Sequence, residues 1–284
     1  MAMTSRSRAG FTLVELLVAL VIFVLVAGSL TRVMNVSQRT SRTQTEKAAM
    51  QGGLRTGLQL ALSEIQEIWT DQGRNESAIT SMSATAMTFE AMRGLGLTCA
   101  PLTLTTITIA ADTTWTGYDP PEAGQGLYLF DQGADEMREI DDVWRGTRIS
   151  GVAAGTCADG VTPAHVLTVT GLIVASQIAN VQVPGPVRTH ETMQIGLVAD
   201  GGRNWLGVGN GGGLTPVAGP LTATGLRFEY KDSNGDETTT LENVKSIILR
   251  LYGETNRAAN KSSFGSTMTL EDSMIVRVQL RNGR

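Results

Sequence analysis

The chain has 284 residues, with 27 acidic and 23 basic side chains for a formal charge of −4, and 42% apolar residues. This length and apolar content suffice for one or two globular domains with a real core and exclude a disordered protein. No block of consecutive Lys and Arg occurs, so the electrostatic footprint of a nucleic-acid binder is missing and no nucleic acid is expected as a partner.

Residues 1–10, "MAMTSRSRAG", carry Arg6 and Arg8 and no acid. From Phe11 to Leu30 the chain is apolar or small apart from Thr12 and Glu15. About twenty helical residues span about 30 Å, the thickness of a bilayer's hydrocarbon core. One membrane-spanning helix over 11–30 follows, with the basic N-terminal end in the cytoplasm and the rest of the chain outside it. Glu15 conflicts with this reading. An acid at the centre of a membrane helix costs roughly 2.5 to 3.5 kcal/mol, so a partner is required.

The stretch "GFTLVELLVALVIF", Gly10 to Phe23, resembles the class III leader of type IV pilins and type II secretion pseudopilins. The resemblance implies that prepilin peptidase cuts between Gly10 and Phe11, removing 1–10, and methylates the new amino group of Phe11. It also implies a partner for Glu15, the amino group of a neighbouring subunit's first residue. Carboxylate and ammonium attract strongly in a low-dielectric bundle, whereas either alone is penalised, so Glu15 would set the stagger of subunits. An ordinary secretory signal fits less well, because the apolar run is long and "VAGS" at Val26–Ser29 is a poor cleavage site. A plain signal anchor, with Glu15 near the helix end, is the other alternative.

The helix is expected to continue through 31–70 as an amphipathic stalk. Leu54, Leu58, Leu62, Ile65 and Trp69 recur at helical spacing, no Pro interrupts Phe11 to Trp69, and Thr70–Gly73 is a stop signal. Gly28, Gly52, Gly53 and Gly57 each cost about 1 kcal/mol relative to Ala, and bending or loosening is expected there.

Residues 71–284 read as a β-rich head. "AMTFEAM", "LTLTTITIA", "GLYLFD", "HVLTVTG", "MQIGLVA", "RNWLGVG", "GLRFEYKD", "VKSIILRLYG" and "SMIVRVQLRN" alternate and are rich in β-branched or aromatic residues. An Asn-Gly turn lies in "KDSNGDETTTLEN", between Tyr230 and Val244. The expected fold class is α+β, a long N-terminal helix packed on an antiparallel sheet. Cys99 and Cys157 fall on the exported side, where a disulfide closing about 59 residues would contribute about 4 kcal/mol. Two separate buried thiols are the alternative. The layout from Gly225 to the C-terminus resembles large minor pilins of the PilW and PulJ kind.

No catalytic, cofactor or metal constellation emerges. "GVGNGG", Gly207–Gly212, has the spacing of a dinucleotide fingerprint but no helix after it, and reads as a surface loop. His165 and His190 are too few for a His-rich metal site. Asp232, Asn234 and Asp236 open like a calcium loop, yet Asn243 stands where a bidentate Glu is needed, so they read as a hairpin turn. The acids of Asp131–Asp142 read as a solvated hairpin. The resemblances imply a structural subunit of a type IV pilus or type II secretion pseudopilus, at priming or the tip. Other pilins, prepilin peptidase and the bacterial inner membrane would be its partners. Two rivals remain: a secreted or anchored binding domain with an ordinary signal, and an anchored exported enzyme.

Overall fold

The computed structural model describes residues 11–68, 78–111, 114–117, 119–134, 141–170, 178, 180–255, 259–260 and 267–280. A single helix, α1, runs from Leu13 to Gln66. With no Pro and a run of Leu, Ala and Val, nothing breaks its ladder. It ends where Glu67 and Ile68 donate to the carbonyls of Glu64 and Ile65 at 3.2 Å and Ile68 bridges to Ala91 in antiparallel fashion. Trp69 and the Thr70–Gly73 stop signal lie outside the described residues.

The chain divides into two compact units. The first holds α1 up to Ala49 together with Thr255–Leu270. Its apolar helical residues are exposed, including Leu17, Leu20, Ile22, Phe23 and Leu25. The hydroxyls of Ser29 and Thr31 donate to the carbonyls of Val26 and Ala27 at 2.8 and 2.7 Å, so they are satisfied within the helix and suit apolar surroundings. In the same unit a short ribbon pairs Ala259–Asn260 with Thr267–Met268.

The second unit combines α1 from Met50 with a large antiparallel sheet. Its strands are β1 (Ile79–Met82), β2 (Ala86–Leu97), β3 (Thr106–Ala110), β4 (Thr116–Gly117), β5 (Gly126–Asp131), β6 (Val143–Thr156), β7 (Pro163–Thr170), β8 (Pro186–Asp200), β9 (Arg203–Gly209) and β10 (Thr215–Lys231). Counting the ribbon as β12 and β13, the remaining strands are β11 (Ser246–Glu254) and β14 (Glu271–Gln279). The sheet runs β14-β11-β10-β9-β8-β5-β6-β7-β3, with β2 on the other edge of β8 and β1 and β4 beside β2.

Two cores share the long strands β2 and β8. Alternate residues of β2, β8, β10 and β11 (Met87, Phe89, Met193, Ile195, Phe228, Leu249 and Leu251 among them) pack against Leu54, Ala61 and Ile65 of α1. Fit here depends on small residues. A Cβ on Gly57 would stand 2.5 Å from the Cβ of Ala218, and one on Gly253 would stand 2.9 Å from Leu54. The helix therefore approaches the sheet at Gly57 and drops Leu54 over Gly253.

The second core joins the other ends of the same strands. Ile107, Ile109, Leu127, Leu129, Ile149, Leu167, Val169 and Val187 form a separate buried cluster. Around it β2, β8, β5, β6, β7 and β3 make a barrel-like ring, closed by the Thr98–Ile109 bridge and by Cys99 N–H donating to Thr108 at 3.0 Å. The Cys99 and Cys157 sulfurs are bonded at 2.02 Å, joining the end of β2 to the β6–β7 turn.

Several details differ from the sequence reading. The buried stripe of α1 is Met50, Leu54, Gly57, Ala61 and Ile65; Leu58 and Leu62 pack at its margin. Gly57 is a contact point in a continuous helix and not a place of loosening. The strand β6 was unforeseen, because Gly146, Gly151 and Gly155 and a mostly exposed surface erase its alternation. The first half of β10 contains Pro216 and Pro220 and pairs only through register shifts.

Candidate functional site

The N-terminal segment is organised around Thr12. Glu15 N–H donates to Thr12 Oγ1 at 3.3 Å, and Thr12 N–H donates back to Glu15 Oε2 at 3.2 Å, a reciprocal capping box at the start of α1. The Thr12 hydroxyl donates to the same carboxylate oxygen at 3.2 Å. Glu15 is thereby placed in the first turn of α1. Sequence reading passed over Thr12, although Thr followed three residues later by Glu is a recognisable cap. Phe11 stands just before this cap and is 84% exposed. Gly10 lies outside the described residues, as does the rest of 1–10.

Among the described residues one helix, Leu13–Gln66, is long and apolar enough to cross a membrane, and its apolar window lies near the N-terminus and is unburied. Over residues 5–31 the chain matches the prokaryotic N-terminal methylation motif. The chain is type IV pilin-like, with a class III leader. The matched motif spans the acid, the cap and the whole apolar run, and the long helix packed on an antiparallel sheet is the matching architecture. Against the curated proteins and against the solved structures, nothing matches.

The other residues singled out by sequence fall elsewhere in the head. Asp232 uses its carboxylate on its own turn, accepting the N–H groups of Asn234 and Asp236 at 2.9 Å each. Gly235 follows with φ of +86°, which Gly adopts without strain. No group of three or more His, Cys, Asp or Glu that could hold a metal occurs among the described residues. Asp131 is fully buried at the end of β5 and paired with Arg145 at 2.8 Å, so it is no solvated acid. Residues 135–140 of that cluster lie outside the described residues. Gly207–Gly212 forms the end of β9 and its turn toward β10, with no helix following.

One polar constellation had no sequence signal. His190 on β8 bonds through Nδ1 to Glu90 Oε2 on β2 at 2.6 Å, and Thr192 donates to Glu90 Oε1 at 2.9 Å. Burial pushes the Glu90 carboxyl up, but these bonds, together with the charges of His190 and Arg148, hold it below its ordinary value. Tyr128 stacks on the His190 ring at 4.3 Å, and a Cβ on Gly126 would collide with that ring, so the imidazole lies flat between β5 and β2. On the opposite face Arg93 bridges Glu64 of α1 at 2.9 Å and Glu191 of β8 at 3.2 Å. Gln125 donates to Glu191 at 3.1 Å and accepts the Glu122 N–H at 3.0 Å.

Proposed function

We propose that this chain is a minor pilin or pseudopilin. It is inserted in the bacterial inner membrane by the apolar part of α1 and cut after Gly10 by prepilin peptidase. It is methylated on Phe11 and assembled with other pilins into a type IV pilus or type II secretion pseudopilus. The observation that carries the reading is Glu15 at a fixed four residues beyond Phe11, inside the matched motif and the apolar helix. A carboxylate there is costly in lipid unless an ammonium meets it, and in a bundle of such helices the free amine of a neighbouring Phe11 supplies one.

The capping box supports this reading, since it orients the carboxylate toward the end where the amine would lie. A priming or tip role of the PilW and PulJ kind is supported by the large head, with its second core and the continuous β10–β11–β14 antiparallel run at the C-terminus. The subunit acts by assembly and not by catalysis.

The test is a mass spectrum of the mature N-terminal peptide from host membranes, with filaments then isolated from wild-type and Glu15→Ala cells. The expected result is a chain beginning at N-methylated Phe11, with Glu15→Ala cleaved normally but depleted from filaments. A start near Gly28, or an uncut Met1, would remove the pilin reading and favour an ordinary signal. Normal incorporation of Glu15→Ala would overturn the pairing.

A further inference from the structure

The strand β8 changes partner along one edge. Val187–His190 pair with β5, and Gln194–Asp200 pair with β9, while no described strand pairs with Glu191–Met193 on that edge. The sheet splits there because β5 belongs to the barrel-like ring and β9 to the sheet on α1, and the two curve around different cores. Between them lies a cleft of about 710 Å³, flanked by the Glu122–Gly126 segment and by Asn210 and Gly211 of the β9–β10 turn. Small-ligand sites enclose about 300 to 1,000 Å³ and favour such junctions.

We propose that this cleft binds a neutral oligosaccharide. Its walls present both hydrogen-bonding senses from planar or short polar groups: the Glu90 carboxylate, buried Gln125, the Arg148 guanidinium, His190, Thr192 and Asn210. Most are fixed before any ligand arrives. Glu90 is held by His190 and Thr192, Gln125 by Glu122 and Glu191, and Arg148 donates to the Gly124 carbonyl at 3.1 Å. Preorganised polar groups lose little entropy on binding, which is what a ligand of many weak hydrogen bonds requires.

The lining also discriminates among ligand classes. Glu90, Glu122 and Glu191 disfavour a simple anion, the Arg148 guanidinium disfavours a simple cation, and the wall is too polar for a lipid. Sugar hydroxyls donate and accept at once, and so match a mixed wall of carboxylate, amide and guanidinium. The glycine backbone at Gly124 and Gly211, with nothing within 4 Å of an added Cβ, leaves room for a sugar ring. The site needs only the folded head, and so stands apart from processing and filament assembly.

The experiment is titration calorimetry on the full chain in a sugar-free detergent, lauryldimethylamine oxide. The probes are hexasaccharides of glucose, N-acetylglucosamine, mannose and galactose, with hexaglutamate and hexalysine peptides beside them. At least one hexasaccharide should bind saturably, with a Kd of about 1 mM or tighter. Asn210→Ala and Arg148→Ala, both on exposed positions, should each weaken binding about tenfold with the circular dichroism spectrum unchanged. Absence of binding by all four sugars would overturn the proposal, as would undiminished binding by both folded variants. Binding of either peptide in place of the sugars would also overturn it, in favour of a protein ligand.

Discussion

Glu90 and His190 lie 100 residues apart in the chain, and their bond exists only because β2 and β8 pair in a register that sets Met92 opposite His190 and Glu90 opposite Thr192. Its contribution has a definite pH sign. The folded carboxyl lies below the ordinary 4.5, so the stabilisation is complete above about pH 4.5 and is lost as pH falls through the lower folded value. Melting curves from about pH 6 down to about pH 3 should therefore show the gap between wild type and Glu90→Gln narrowing toward acid. A gap independent of pH would mean that Glu90 acts only through packing. Thr12 is the comparable case at the N-terminus, with the difference that its three-residue spacing to Glu15 is visible in the sequence.

At the scale of elements, α1 shows how two local effects compete. Gly in a helix costs about 1 kcal/mol against Ala, which argues for replacing every helical Gly. At Gly52 nothing lies within 4 Å of an added Cβ, so Gly52→Ala should stabilise by roughly 0.5 to 1 kcal/mol. At Gly57 the added atom would meet Ala218 and, at 3.2 Å, Leu206. Gly57→Val adds a branched side chain where overpacking costs about 1 to 3 kcal/mol and should lower stability by about that amount. Opposite shifts of the melting midpoint for the two variants would confirm which face of α1 meets the sheet. Equal shifts would contradict it. The helical spacing of Leu54, Leu58, Leu62 and Ile65 gave a face within a fraction of a turn of the buried one. The offset arose because the closest approach uses Gly57 and Ala61, which carry no hydrophobic signature of their own.

Across the whole head, the disulfide and the two cores divide the stability. Cys99 and Cys157 are separated by 58 residues, and the cross-link removes unfolded-chain entropy worth about 4 kcal/mol. The bond ties the closing edge of the barrel-like ring, remote from the core on α1. A Cys99→Ser, Cys157→Ser variant should lose amide-exchange protection first on β3, β6 and β7, with β10 and β11 retaining theirs. Simultaneous loss everywhere would show the two cores to be one cooperative unit.

What the sequence determined by itself was whatever rests on local pattern. The apolar run with its lone acid, the long helix, and strands such as Gly126–Asp131 and Arg203–Gly209 were readable because side-chain period and propensity are properties of neighbouring residues. Tertiary structure alone decided the rest. It set the pairing of β8 with β5 along one stretch and β9 along another, and the burial of Asp131. It also placed the Gly-rich β6 in the sheet and formed the cleft where the two cores part. These depend on contacts between residues far apart in the chain, whose register is fixed by filling two cores at once, and no local pattern carries that information.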